Sequence, residues 1–245
     1  MQNETIVIQG ALQSEIDWLL AEFAPHTRRE IGGFVFYECT YRDRPIVISK
    51  TKMGEIASAI ATTLAIEHYR PAWIVNQGTA GALTDELHTG DLIVGTGVRY
   101  FSQYAEAPDR DLDELNPWKT DGYRTPDGEW ISLDAHNTFL QWIRSLKPNS
   151  TGRVYYDVLG SGDVWSKTAE EIRLRRATGA VCESMECTGA YMAANSQGVP
   201  LVSVRVISNN EMLGEAYDPS SGVIAQQFAH FLTDAWIALG EKTPF

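Results

Sequence analysis

Short apolar runs alternate along this chain with longer stretches in which apolar residues recur every three or four positions. The first pattern reads as buried strand and the second as helix with one apolar face. Thr5–Gln9 is such a run, expected as a strand, and Glu15–Phe23 sets Ile16, Leu19, Leu20 and Phe23 on one helical stripe. Gly33–Cys39 and Pro45–Ser49 read as a strand pair around the polar turn Tyr41-Arg42-Asp43-Arg44. Ile56–His68 is rich in Ala, with Ile56, Ile60, Leu64 and Ile66 recurring, which predicts a helix. Ala72–Val75 reads as the next strand and Gln77–Ala82 as the loop after it. Asp91–Val94 and Val98–Phe101 read as strand, and Leu133–Leu146 as an amphipathic helix capped by Ser132. Val154–Leu159 is expected as strand, Thr168–Ala177 as helix, Ala180–Glu183 as a short strand and Glu186–Gln197 as a helix of small residues. Pro200–Ile207, almost wholly Val, Leu and Ile, predicts a central strand buried on both faces, and Val223–Leu239 a last helix. Strands alternating with helices in this way predict an α/β layer fold.

One segment breaks the rhythm. Ser102–Ser132 holds many acidic, Pro and Gly residues together with Trp118, Tyr123 and Trp130. A stretch that long without regular pattern in a compact domain is usually functional or mobile. Two readings stay open: a solvated excursion held down by its aromatics, or a flap or dimer arm that covers a ligand. No internal repeat and no low-complexity linker divides the chain, so residues 1–245 are expected to form a single domain.

Composition narrows the classes of function. At 245 residues the chain is long enough to bury a substantial core, and its 44% apolar and 21% charged residues are ordinary for a globular protein. The formal net charge of −12 argues against nucleic acid as the main partner, because phosphate binding needs a basic surface. No apolar run approaches the roughly 18 residues that would span a bilayer, and no basic stretch followed by an apolar block marks a signal peptide. The expected location is the cytoplasm. Cys39, Cys182 and Cys187 suit a reducing compartment as packing residues. His26, His68, His88, His136 and His230 are scattered without metal-ligand spacing, so no metal is expected.

Three segments far apart in the chain carry polar groups into apolar surroundings: Ile6 to Glu15, Asn76 to Ala82, and Glu183 to Glu186 with Val204 to Asn209 downstream. Glu15 follows the first strand, where a carboxylate can point into a site at the sheet's C-terminal edge. Its plain alternative is a solvated first-turn Glu favoured by the helix dipole. Gly78-Thr79-Ala80-Gly81 lets backbone approach a ligand closely, a weak signal alone. Met185 offers a soft apolar face and Glu186 a carboxylate at a helix start. Trp165, within Ser161-Gly162-Asp163-Val164-Trp165-Ser166, can stack on a flat ring or simply be core. Asn209 can donate and accept hydrogen bonds but cannot deliver a proton.

In order and spacing these segments resemble the 5′-methylthioadenosine/S-adenosylhomocysteine nucleosidases, within the larger purine nucleoside phosphorylase-like superfamily. The resemblance runs from about Thr5 to about Trp236 and is weakest between Phe101 and Pro148. It implies a mostly buried, mixed central β-sheet flanked by helices, and an enzyme that hydrolyses a ribose–purine bond without a cofactor. Gly10, Ala11 and Glu15 match a Gly-Ala-x-x-x-Glu run whose Glu activates the attacking water. Thr79, with Ala80 and Gly81, stands near the ribose and the water. Met185 and Glu186 match a pair under the ribose, whose carboxylate favours the oxocarbenium-like transition state. Val164, Trp165 and Ser166 match a segment that reads the purine.

The chain departs from that pattern in three places. Ser184 stands where the family usually has a Glu, with Glu183 one place earlier. Asn76 stands near the place where phosphorolytic relatives hold phosphate with Arg, which favours water as the acceptor. Asn209 stands where adenine-specific members have the Asp that protonates purine N7. If such an acid supplies about 10²–10⁴ in rate, its loss costs roughly 3–5 kcal/mol. Asn210 or Glu211 then substitutes for it, or the base is a 6-oxopurine, or activity is largely lost. Futalosine hydrolases and other 6-oxopurine-cleaving relatives have Asn in this region and a segment like Glu183-Ser184-Met185-Glu186.

The leading expectation is a purine nucleoside N-ribohydrolase with Glu15, Glu186 and Asn209 as catalytic residues and Ala11, Thr79, Ala80, Gly81, Val164, Trp165, Ser166, Ser184 and Met185 around the substrate. A 6-oxopurine nucleosidase acting on inosine, guanosine or futalosine is the alternative, and a non-catalytic nucleoside-binding protein the third reading. The resemblance also implies a homodimer, with Phe101, Tyr104, Trp118 and Tyr123 as candidates to close the 5′ side of the pocket.

Overall fold

A computed structural model of the chain describes residues 5–103, 122–124, 127–148 and 152–240. Eleven strands appear among these residues. They are β1 (Ile6–Gly10), β2 (His26–Ile31), β3 (Phe34–Tyr41), β4 (Arg44–Lys50), β5 (Trp73–Ala82), β6 (Leu92–Tyr100), β7 (Gly122–Arg124), β8 (Trp130–Ser132), β9 (Val154–Ser161), β10 (Cys182–Ser184) and β11 (Leu201–Asn209). The helices are α1 (Asp17–Glu22), α2 (Glu55–Tyr69), α3 (Asn137–Ser145), α4 (Ala169–Arg176), α5 (Cys187–Ser196) and α6 (Gly222–Leu239).

Nine strands form one mixed sheet in the order β10-β9-β6-β11-β5-β1-β4-β3-β2, and β7 and β8 make a separate hairpin. β1 runs parallel to both β4 and β5, and β11 runs parallel to β5 but antiparallel to β6. β10 pairs with β9 on one side and, antiparallel, with the end of β5 on the other, so part of the sheet curls into a closed ring. That closure brings the C-terminal ends of β1, β5, β10 and β11 together, the place where open α/β sheets bind ligands. β11 is buried along Leu201–Ser208, as its apolar run predicts, and α5 and α6 pack on it. Trp236 of α6 joins Trp73, Phe139 and Trp142 in one aromatic cluster in the core.

The structure departs from the sequence pattern at several elements. Gln77–Ala82 is not a loop. It is the second half of β5, held in register by β11 up to Gly81 and by β10 at Gly81 and Ala82. Asp91–Val94 and Val98–Phe101 belong to the single strand β6, with an irregularity between Gly95 and Gly97. β2 has no apolar alternation because it is an exposed edge strand paired only with β3. Ser132 belongs to β8 and binds Asp134; α3 is capped by His136, whose Nδ1 accepts from the Phe139 N–H at 3.4 Å. Helix α2 forms where expected, but it buries Ser58, Ala61, Thr62, Ala65 and Ile66, leaving Ile56 74% exposed and Ile60 45% exposed.

Candidate active site

A cavity of about 440 Å³ opens at the joined strand ends. The 3-10 turn Gln13–Glu15 after β1 carries Glu15 into it, and the side chain is buried. Glu15 Oε2 accepts from the Ala11 and Leu12 N–H groups at 2.9 and 3.1 Å. Its Oε1 accepts from the Thr79 N–H at 3.1 Å and the Thr79 hydroxyl at 3.4 Å. A Cβ on Gly78 would lie 2.8 Å from Oε1, so the glycine is what lets β5 pass under the carboxylate.

Glu186 reaches the same cavity from the start of α5. Met185 N–H and Gly54 N–H donate to its oxygens at 3.3 and 3.4 Å, long and weak bonds. The fully buried Arg205 of β11 sets Nη2 3.7 Å from Oε2. Burial pushes the Glu186 carboxyl above the usual carboxylate range; Arg205 pulls it back, and the charge of Glu15 adds to the rise. Arg205 is anchored by Asn76, whose backbone oxygen and Oδ1 accept from Nη1 and Nη2 at 2.9 and 2.7 Å. Asn76 thus faces this guanidinium and does not line the cavity.

A bulge at Ser208 breaks the alternation of β11, so that Ser208 and Asn209 both reach the cavity, Asn209 opposite Gly81. The Asn209 Oδ1 lies 3.1 Å from the Ser208 hydroxyl. Asn210 is not available to help. Its amide nitrogen donates to the Thr84 and Leu87 carbonyls, its oxygen accepts from Met212 N–H, and it is fully buried. Glu211 does line the cavity.

Of the residues expected around a substrate, Ala11, Thr79, Ala80, Gly81, Trp165, Ser184 and Met185 line the cavity together with Glu15, Glu186 and Asn209. Val164 and Ser166 do not. Val164 faces outward, and Ser166 is buried behind Glu183, whose carboxylate accepts from its N–H at 2.9 Å and its hydroxyl at 2.8 Å. Arg175 pairs with the same carboxylate and stacks over Phe101. Phe101 is buried in a small cluster with Leu83, Ile172 and Ala180, and the Tyr123 hydroxyl donates to the Met192 carbonyl on α5. Neither lines the cavity, and Tyr104 and Trp118 lie outside the described residues.

Beyond the expected site residues, the lining holds Leu12, Met53, Ser208 and Tyr217, and Glu183, which the sequence placed beside the site without a role, with Arg205 and Glu55 behind it. A charged residue inside an otherwise apolar strand, as Arg205 is, was the one signal that pointed to a buried ion pair. Cys39, Cys182 and Cys187 are buried free thiols pushed up by burial, Cys39 to about 12, and fit packing roles. Among the described residues, no three His, Cys, Asp or Glu side chains converge on a point that a metal would fill, and no helix is long and apolar enough to cross a membrane.

Comparison with known proteins supplies a family for this cavity. The chain is 29% identical over 207 residues to the 5′-methylthioadenosine/S-adenosylhomocysteine nucleosidase of Halalkalibacterium halodurans, covering 83% of this chain and 84% of that protein. The nucleosidase of the same description from a Shewanella species is 27% identical, with 84% of each covered. Among solved structures, a futalosine hydrolase mutant of Helicobacter pylori superposes with a TM-score of 0.76 at 23% identity, covering 94% of this chain and 97% of that one. A methylthioadenosine/S-adenosylhomocysteine nucleosidase from Colwellia psychrerythraea, in complex with adenine, gives 0.74 at 22% identity, with 95% and 96% covered. The phosphorylase superfamily model matches residues 5–235, and on that match, nearly the whole chain, the protein belongs to the phosphorylase superfamily.

Proposed function

We propose that this protein is a purine nucleoside N-ribohydrolase, which cleaves the N-glycosidic bond of 5′-methylthioadenosine/S-adenosylhomocysteine-type nucleosides into free base and a ribose derivative. The observation that carries this reading is the cavity lining. It holds Glu15, Glu183, Glu186 and Glu211 and, among the described residues, no Lys, Arg or His. A phosphate ion would meet repulsion there with no cation to receive it, whereas a water molecule and a cationic sugar suit it. The curated relatives of matching length point the same way by name.

In this reading Glu15, fixed by its four donors, takes a proton from a water that attacks C1′. The C1′–N9 bond breaks and its electron pair leaves with the base. Glu186 bears negative charge beneath the ribose and stabilises the developing cation, with Met185 against the sugar. Thr79, Ala80 and Gly81 border the sugar side, and Trp165 stacks on the base. Asn209 orients the base by hydrogen bonding but supplies no proton. Ser184 holds the turn before Met185, and Val164 and Ser166 act by shaping the loop that carries Trp165.

Asn209 also favours a second reading, in which the base is a 6-oxopurine. An amide donor suits O6 and N7, and a hypoxanthine or guanine anion leaves with less help from an acid. Purified protein incubated with 5′-methylthioadenosine, S-adenosylhomocysteine, inosine, guanosine and futalosine, with free base read by chromatography, separates the two. Adenine release identifies the first reading and hypoxanthine or guanine release the second. No release from any, alongside tight nucleoside binding, would leave only a binding protein. Glu186→Gln is expected to remove nearly all turnover, and wild-type rates in that variant would reject its role.

The active form in this proposal is a homodimer. Met53, Ile56, Ile60, Val164 and Trp165 expose apolar side chains around the cavity mouth and along the outer face of α2. A second copy covering this rim would bury them and close the open side of the pocket. Of the segment 102–132, expected as a flap or dimer arm, residues 104–121 lie outside the described residues.

A further inference from the structure

We propose that Glu55, which does not line the cavity, is a positioning residue that anchors the turn bearing Met185 and Glu186. The inference rests on the nucleosidase reading and adds to it a buried group that the chemistry itself does not touch.

Glu55 opens α2 and is 5% exposed. One oxygen of its carboxylate accepts from the Ser161 hydroxyl, and the other accepts from the Gly189 N–H at 2.6 Å. Ser161 ends β9, and its oxygen in turn accepts from the Cys187 N–H at 3.0 Å and lies 3.3 Å from the Ser184 hydroxyl. Ser184 and Cys187 bracket Met185 and Glu186. Glu55 therefore holds the first turn of α5 directly at Gly189, and holds both ends of the turn through Ser161, whose oxygen is met by Cys187 N–H and the Ser184 hydroxyl.

The backbone beside Glu55 makes the same attachment. Gly54 N–H reaches Glu186 Oε1, the Ser58 hydroxyl donates to the Glu186 carbonyl at 2.8 Å, and Glu55 N–H donates to Asp163 Oδ1 at 2.8 Å. The fit is close enough that a Cβ on Gly189 would lie 2.1 Å from the Glu55 carbonyl oxygen. The start of α2 is thus clamped to the start of α5 with Glu186 between them.

The direction of the chain depends on charge. An ionised Glu55 accepts the one proton of Ser161, which leaves the Ser161 lone pairs for Cys187 N–H and Ser184. A protonated Glu55 would offer its own proton to Ser161 and compete with Cys187. Burial pushes this carboxyl up to about 7, the Glu186 and Asp163 charges adding to the rise and the Ser161 and Gly189 donors opposing it. The other groups that bear on this cluster are the buried Cys187 thiol on α5 and Arg205 on β11, which faces Glu186. The ordered turn then belongs to the ionised form.

The test compares wild type, Glu55→Gln, Ser161→Ala and the double variant by steady-state kinetics from pH 5.5 to 9, with folding checked by melting curves. Glu55→Gln is expected to lower kcat roughly 10–100-fold at pH 8, the scale of a misplaced reacting group. KM should change much less, and the rise of kcat through neutral pH should flatten. Ser161→Ala should lose a similar factor, and the double variant little more, because both break one chain. A Glu55→Gln enzyme with wild-type kcat and pH profile, altered only in melting temperature, would overturn the proposal, as would losses that multiply. Wild-type protein that releases no base from any nucleoside would instead remove the functional reading, and this inference with it.

Discussion

Glu15 and Glu186 reach one cavity from opposite ends of the chain, and they are held differently. Four N–H and O–H donors surround Glu15, whereas Glu186 has two long backbone bonds and a guanidinium 3.7 Å away. Glu55 lies close behind them, and burial raises the carboxyls of Glu55 and Glu186. A carboxyl whose folded-state value is raised contributes stability that is present below its ordinary range and lost as pH rises to the raised value. For Glu55, lifted to about 7, the difference amounts to about 3 kcal/mol. The melting temperature should therefore fall between pH 4.5 and pH 7.5 from this group, and Glu55→Gln should narrow the fall. An unchanged pH dependence of melting in that variant would show that Glu55 is ionised at no cost. Glu15 and Glu186 were legible in the sequence because each sits in a short motif at a predicted element boundary. Glu55 was not. Glu55 looks like any first-turn helix acid, and its partners Ser161 and Gly189 lie 106 and 134 residues away.

At the scale of elements, most strands and helices followed from apolar periodicity, and the failures have physical causes. β2 escaped notice because an edge strand with both faces in water needs no alternation. The Gly-rich stretch from Gln77 read as loop because glycine weakens strands, yet here it lets β5 continue under Glu15 and beside Asn209. That gives Gly78 a testable role. In Gly78→Ala the new methyl would meet Glu15 Oε1 at 2.8 Å and push the carboxylate aside. The variant should lose roughly 10–100-fold in kcat and about 1–3 kcal/mol of stability. Full activity in a folded Gly78→Ala protein would mean that Glu15 has freedom its four hydrogen bonds deny. The Ile spacing predicts helix α2, but its small residues and Ile66 face the core, and Ile56 and Ile60 do not. Close approach to α5 requires Ala, Ser and Gly at the contact, which pushes Ile56 and Ile60 outward.

At the scale of the molecule, that outward stripe is apolar surface lying next to the cavity mouth. The proposed homodimer places it under a second copy, so Ile56→Glu with Ile60→Glu should give a monomer by light scattering, with weakened nucleoside binding. A monodisperse wild-type monomer of full activity would contradict the dimer without touching the chemistry. The fold and the family were accessible from the sequence because motif order survives where identity is low. What the segment 102–132 contributes was not, since its sequence pattern is the weakest of the chain and residues 104–121 lie outside the described residues. The account as a whole stands on water, not phosphate, meeting the sugar between two carboxylates. Turnover of the best nucleoside in ¹⁸O-labelled water, with and without inorganic phosphate, measures this directly. The account predicts phosphate-independent base release with the label on the C1 oxygen of the freed sugar; an unlabelled sugar phosphate, formed only when phosphate is present, would contradict it.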